Sequence, residues 1–271
     1  RSAITSTRCS SLTMNLMRVE EFYCDGRIER APGAGGPWNE LLRAMALSND
    51  AGTDASGAVM GDPTEVALFI AARDAGVDKQ KVEPQYPRVA EIPFDSTRKC
   101  MTTLHRDPAG GFMAVTKGAI EVLLDKSTAI LTAEGVKAVD HGELQMVNAR
   151  MAADGLRVLG LAMRQWAELP KELSPKNVEA ELIILGLVGM MDPPRAEAKE
   201  AVALCKTAGI KPVMITGDHP ITAKAIAVRL GIVDDDVKAV ISGRELEKLS
   251  LAEFEERVEQ IRVYARVAPE Q

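Results

Sequence analysis

The apolar run Pro212-Val213-Met214-Ile215 leads into Thr216-Gly217-Asp218, and a helical pattern starts directly after it. This reads as a strand ending in a hydroxyl, a residue without a side chain and a carboxylate, at the mouth of a helix. Such a loop is suited to a phosphoryl group. The hydroxyl and the exposed amides can hold phosphate oxygens, and the helix N-terminus adds a favourable partial charge. Gly217 permits close backbone approach. Asp218 can cap the following helix in the same geometry. His219 reads as a helix-start residue rather than a metal ligand.

Four more short motifs precede this loop. Gly61-Asp62-Pro63-Thr64-Glu65 opens a helix, and Pro93-Phe94-Asp95-Ser96-Thr97-Arg98-Lys99 precedes a strand. Thr116-Lys117-Gly118-Ala119 sits at a strand-to-helix turn, and Asp192-Pro193-Pro194-Arg195 follows an apolar strand. Five motifs in this order and spacing resemble those of P-type cation-transporting ATPases, type II, the branch that holds calcium and sodium/potassium pumps. The resemblance covers nearly the whole chain and implies the large cytoplasmic loop of such a pump.

The resemblance implies that Phe94 stacks on adenine. Physically, a base needs a flat apolar platform, worth roughly 1–3 kcal/mol per base, whereas an isolated Phe is more often a core residue. It also implies that Lys117 lies in the nucleotide pocket, with Gly118 and Ala119 keeping the pocket wall small so that adenine can approach. Lys99 would offer charge to the phosphates. Glu65 and Arg157 match family positions near the adenine and the phosphate tail; as plain residues they are a first-turn carboxylate and a surface arginine. Asp192 and Arg195 are expected at a hinge between domains, where Arg195 reaches a phosphate or ribose on closure; the prolines also suit a simple helix start. Thr216, Gly217 and Asp218 are the expected phosphoryl-handling group.

The family's nucleophile is the aspartate of D-K-T-G-T-L-T. Leu12-Thr13-Met14-Asn15 fits the tail of that motif, which puts Thr7-Arg8-Cys9-Ser10-Ser11 where D-K-T-G-T belongs, and no aspartate precedes Asp25. A threonine there cannot form an acyl-phosphate. The sequence stops at Ala268-Pro269-Glu270-Gln271, before the family's lysine and its G-D-G-x-N-D, whose aspartates help bind Mg2+. The expectation is a fragment that binds ATP without being phosphorylated. Its partners would be ATP and the transmembrane and actuator domains of the same parent, with Mg2+ joining in the complete protein. The alternatives are a soluble haloacid-dehalogenase-like phosphatase with a large cap, or a non-catalytic nucleotide-sensing module.

Composition narrows the rest. The 271 residues are 46% hydrophobic and 27% charged, enough for a substantial core. A net charge of -6 argues against a nucleic-acid partner. Cys9, Cys24, Cys100 and Cys205 form no C-x-x-C, which argues against a zinc site or a disulfide framework. No metal site is assigned. No run approaches the ~20 residues of a membrane span, and no signal peptide is visible, so the fragment is expected on the cytoplasmic side of a membrane without inserting into it.

These motifs need elements to hold them. The last third alternates: a buried strand at 182–189, a helix with Ala198, Val202 and Cys205 on one face, a strand at 210–215, and a helix with Ile221, Ala225 and Val228 on one face. A strand at 238–241, a charged helix at 245–260 and a strand at 261–267 follow. Strands alternating with helices predict a doubly wound, mostly parallel sheet with ligands beyond the strands' carboxyl ends. Upstream, helices are expected at 38–48, 64–75, 118–126 and 143–154. Strands are expected at 88–92, 99–105, 112–116 and 156–166, the middle pair forming a hairpin through Asp107-Pro108-Ala109-Gly110-Gly111. The fold class expected is therefore α/β: a haloacid-dehalogenase-like (Rossmann-like) partial phosphorylation domain, residues 1–15 and 191–271, with an inserted α+β nucleotide-binding domain, residues 16–190.

Overall fold

The structure is a computed structural model that describes residues 12–14, 16–234 and 239–267. Thr7 to Ser11, Asn15 and the last four residues, all named above, lie outside the described residues. The chain divides into two compact units. One holds residues 17–151 and 157–191; the other holds the residues up to Leu16, residues 152–156 and those from Asp192 onward.

The larger unit runs β1 (Arg18–Cys24), β2 (Arg27–Glu29), α1 (Gly36–Leu47), β3 (Gly52–Thr53), β4 (Val59–Met60), α2 (Pro63–Asp74) and α3 (Lys79–Val82). It continues with β5 (Arg88–Asp95), β6 (Cys100–Arg106), β7 (Phe112–Gly118), α4 (Ile120–Lys126), β8 (Ser127–Thr132), β9 (Gly135–Ala138), α5 (His141–Ala153), β10 (Arg157–Trp166), α6 (Pro175–Val178) and β11 (Leu182–Met191). Its main sheet has the order β2-β1-β11-β10-β7-β6-β5, with β8 and β9 attached through β11. Every pairing along the main order is antiparallel; only β8 meets β11 in parallel. The expected hairpin is present, with Asp107 N–H bonded to the Gly111 carbonyl.

The strand expected at 182–189 is β11, and it belongs to this antiparallel sheet, not to the alternating parallel one. Its continuous apolar run is explained by its central position: β1 and β8 share one side, β10 fills the other, and nearly every residue is buried. A strand buried on both faces loses its alternation in either kind of sheet, so the sequence pattern could not separate them.

Pro37 starts α1 at a position where its missing N–H costs nothing. Trp38, Leu41, Leu42 and Met45 then recur at helical spacing and pack with Leu68, Met113, Val115, Leu161 and Val188 as the main core. Truncating Leu41, which is fully buried, would cost about 2–5 kcal/mol. The opposite sheet face holds a smaller cluster of Ile92, Leu104, Ala114 and Val178.

The smaller unit contains α7 (Ala196–Thr207), β12 (Met214–Thr216), α8 (Pro220–Leu230), β13 (Val240–Ser242), α9 (Gly243–Leu246), α10 (Leu251–Arg257) and β14 (Val263–Ala265). Its three strands are parallel in the order β12-β14-β13. Three expectations are corrected here. The strand at 210–215 shortens to β12, since Gly209 and Ile210 complete the end of α7 and Pro212 has no N–H to donate. The charged helix at 245–260 is two helices, because Ser242 and Ser250 each form a capping box, with Glu245 and Glu253. The buried face of α8 is Ala223, Ile226, Ala227 and Leu230, while Ile221 and Val228 are exposed; an apolar helix carries two candidate stripes, and packing chose the other. No helix among the described residues is long and apolar enough to cross a membrane.

Candidate functional site

Phe94 stands near the end of β5 with 64% of its surface exposed. A core role is therefore ruled out by burial. The β5–β6 pairing slips between Ile92 and Asp95, so Pro93 and Phe94 together face Met101. Such a bulge re-aims side chains. The turn that follows is tightly tied. Asp95 Oδ1 accepts the N–H groups of Thr97 and Arg98 at 3.0 and 2.8 Å, and Lys99 N–H reaches the Asp95 carbonyl at 2.6 Å. Lys99 is exposed and holds a left-handed backbone, φ 52.

Two strands across the sheet, beyond Met101, lies Lys117 on β7. Its ammonium is buried and donates to Glu65 Oε1 at 2.6 Å and to the Ser48 carbonyl at 2.5 Å. Burial pushes the Lys117 pKa below the usual lysine range, and the Glu65 pairing pulls it partly back. Glu65 is in the first turn of α2, whose N-cap Asp62 accepts the Thr64 N–H at 2.8 Å. The second Glu65 oxygen accepts the Asp50 N–H. Arg157, exposed at the start of β10, donates to Thr64 Oγ1 at 3.3 Å. Thus Arg157, Glu65 and Lys117 all meet the N-terminal turn of α2, while Lys99 adjoins Gly118 through the bond from Ala119 N–H to its carbonyl.

Gly118 is also required by the packing of the sheet. A Cβ there would lie 2.5 Å from Cys100 Cβ and 2.6 Å from the Lys99 carbonyl oxygen. The missing side chain lets β6 and β7 approach.

Several residues of this region had no sequence signal. Arg88 donates to the Leu47 and Asn49 carbonyls, and Lys79 to those of Asn49 and Ala51. With Lys117 on Ser48, three cations meet the carbonyl end of α1, where the helix dipole favours positive charge. Glu179, wholly buried beside Arg98, was also missed. Each is far in sequence from its partners, so no local spacing announces it.

The other five expected residues are in the smaller unit. At the end of β12, Thr216 is buried; its hydroxyl donates to Asp218 Oδ2 at 2.8 Å and accepts the Asp218 N–H at 3.1 Å. No atom crowds the Cβ position of Gly217. The cap of α8 is His219, whose Nδ1 accepts the Ile221 N–H, and not Asp218; Pro220 at the first helical position shifts the cap by one residue. Asp192 Oδ1 accepts the Leu16 N–H at 3.1 Å. Arg195 donates from Nε to the Thr13 carbonyl at 2.7 Å and from its backbone to Leu12. Arg195 is the N-cap of α7 by position, without a side-chain cap bond.

Comparison with known proteins adds identity to this geometry. The family profile "P-type ATPase, cytoplasmic domain N" matches residues 37–197. The chain is 38% identical to Calcium-transporting ATPase 1 of Bacillus cereus, across 98% of this chain and 30% of that protein. It is 35% identical to Probable cation-transporting ATPase F of Mycobacterium tuberculosis and 36% identical to Cation-transporting ATPase pma1 of Synechocystis, each across 100% of this chain and 33% of the relative. The chain thus spans about a third of the length of these relatives. With a mixed α/β architecture around an antiparallel sheet and a family match over more than half its length, the chain belongs to the P-type ATPases.

Proposed function

We propose that the larger unit is a nucleotide-binding domain that takes ATP on the face bearing Phe94, Lys99, Lys117, Glu65 and Arg157. The observation that carries this reading is Phe94: a large aromatic left mostly exposed on a firmly tied turn, in the same cross-strand row as a buried lysine. An exposed, rigid ring has little to offer the fold and much to offer a base. Lys99 and Arg157 would meet the phosphates, Glu65 and Lys117 would lie toward the adenine, and Gly118 would act through strand spacing.

In the whole protein, by the relatives' names, the activity would be ATP-driven cation transport. The smaller unit would be part of a haloacid-dehalogenase-like phosphorylation domain, split as residues 1–15 and 191–271. There Thr216, Gly217 and Asp218 would handle the phosphoryl group transferred to an aspartate, and Asp192 and Arg195 would serve the hinge. Catalysis of this type is positioning plus charge neutralisation. Transmembrane and actuator domains of the parent would be the partners, which puts this piece at the cytoplasmic face of a membrane. Magnesium would arrive with the nucleotide. Among the described residues no three His, Cys, Asp or Glu side chains converge on a metal position, so no step is assigned to the ion. The soluble phosphatase and the sensing module are not favoured, since transport ATPases match this chain over its whole length.

The test is titration of the chain with ADP and ATP, followed by amide chemical shifts. Shifts should concentrate at residues 94–99, 117–119 and the start of α2. Phe94→Ala should weaken binding about tenfold or more without altering thermal unfolding. No nucleotide-dependent shift, or shifts indifferent to Phe94→Ala, would remove the assignment.

A further inference from the structure

We propose that Glu179 is a positioning residue for the nucleotide site, acting through Arg98 to hold the turn that carries Phe94 and Lys99. For its ligand this rests on the nucleotide-site reading above.

Glu179 follows α6, and its side chain is 0% exposed. A buried carboxylate is costly unless it is paired and hydrogen-bonded. Oε1 accepts Arg98 Nη1 at 2.5 Å and Thr102 Oγ1 at 2.9 Å. Oε2 faces Lys126 Nζ at 3.3 Å and the Cys100 thiol at 3.6 Å. Burial, reinforced by the Glu179 charge, raises the Cys100 pKa, so the sulfur keeps its proton and remains a donor. The carboxylate is thus gripped from β6, from the last turn of α4 and from Arg98.

Of these partners, Arg98 is the one on the turn itself. Its Nη2 donates to the Pro93 carbonyl at 2.5 Å, on the residue before Phe94. Its Nη1 donates to the Cys100 carbonyl at 3.0 Å, on the residue after Lys99. One guanidinium fastens both ends of the turn, and its planar fork sets their separation. Glu179 supplies the countercharge that fixes the guanidinium plane. Being fully buried, the carboxylate cannot touch a ligand lying on Phe94, so any effect on binding must pass through Arg98. Neutralising it would leave two largely buried cations, Arg98 and Lys126, without their common partner. Arg98→Lys would keep the charge and lose the fork.

The experiment compares the parent chain with Glu179→Gln, Arg98→Lys and, as a control for general destabilisation, Leu144→Ala, which empties a buried position on α5. Two quantities are read: amide hydrogen exchange of residues 94–100 without nucleotide, and ADP affinity. Both test variants should speed exchange at 94–100 and lose about tenfold in ADP affinity, while the control does neither. Unchanged exchange at 94–100 in Glu179→Gln overturns the proposal, as does faster exchange with full ADP affinity when Phe94→Ala weakens binding. If Phe94→Ala itself leaves ADP binding intact, the nucleotide-site reading is the part that fails, and the positioning role falls with it. Should Glu179→Gln not fold, Arg98→Lys decides by the same two readouts.

Discussion

The Lys117 ammonium lies 2.6 Å from Glu65 Oε1 and donates at the same time to the Ser48 carbonyl, so this lysine joins β7 to α2 and to the end of α1. The pair is nearly out of water, with side chains 9% and 14% exposed. Removing either partner should not cost the same. Glu65→Ala would leave a buried ammonium with one carbonyl, and breaking a buried pair in this way costs about 3–5 kcal/mol. Lys117→Met keeps the packed stem, and Glu65 keeps the Asp50 N–H; a cost of about 1–2 kcal/mol is expected. Urea unfolding of both variants checks the order. Equal losses would mean that the ion pair does not dominate this joint.

Two glycines of the candidate sites should respond in opposite ways to alanine. At Gly118 the new Cβ would meet backbone at 2.6 Å from the Lys99 carbonyl oxygen and 2.9 Å from Cys100 Cα. Neither atom is at the end of a flexible side chain, so strands must shift, at roughly 1–3 kcal/mol or more. At Gly217 no atom lies within 4 Å of the built Cβ. Gly217→Ala should unfold within about 0.5 kcal/mol of the parent. Whatever Gly217→Ala does to phosphoryl handling would then be due to the ligand side of the loop. A matched loss of stability in both variants contradicts this contrast.

The sequence exposed what is local. The hairpin through Asp107 to Gly111 was legible because turn residues separate two apolar runs, and the start of α2 was legible from the Gly61-Asp62-Pro63-Thr64-Glu65 motif that opens it. The β1–β2 hairpin was missed although Asp25-Gly26, with φ 54 and 72, carries the usual two-residue turn signal. The β8–β9 hairpin was missed because its two-residue turn, Ala133-Glu134, carries none of the usual turn residues and β9 is exposed along its length. Phe94, Lys117 and Glu65 stood out only as members of an ordered series. Their supports did not: Glu179 is 81 positions from Arg98, and Lys117 is 69 from Ser48. Such contacts arise from sheet register, which no short motif encodes.

Acid should weaken the larger unit through His105. This imidazole is buried on β6, with Nδ1 on the Tyr86 carbonyl and Nε2 on the Thr103 hydroxyl, both at 2.9 Å. Burial holds its pKa below the ordinary 6.5; Arg88 and Lys79 push the same way, while the Tyr86 bond and Glu83 oppose them. Below pH 6.5 the unfolded chain therefore binds more protons than the folded one. Stability is full above 6.5 and falls as the pH drops toward the folded value, with a slope of at most about 1.4 kcal/mol per pH unit. His105→Gln should remove that part of the slope. The check is urea unfolding of both chains at several pH values between 5 and 8; parallel curves would show that His105 does not titrate on unfolding.

Thiol chemistry should separate the cysteines by burial. Cys24 and Cys100 are both completely buried, whereas Cys205 on α7 is partly exposed. Burial pushes the Cys24 pKa up to about 12, and burial with the nearby Glu179 raises that of Cys100. The thiolate is the attacking species, so at pH 9 the native Cys24 thiolate would be about one part in a thousand. Both access and ionisation thus protect these two sulfurs. Iodoacetamide at pH 8 should label Cys205 within minutes and leave Cys24 and Cys100 unmodified until urea is added. Peptide mapping by mass spectrometry reads each site separately. If Cys100 were labelled as fast as Cys205 in the native chain, the β5–β6 turn that covers it would have to open freely. The Arg98 clamp on the Pro93 and Cys100 carbonyls would then not be holding, and the turn that presents Phe94 would not be the firm platform that a stacked base requires.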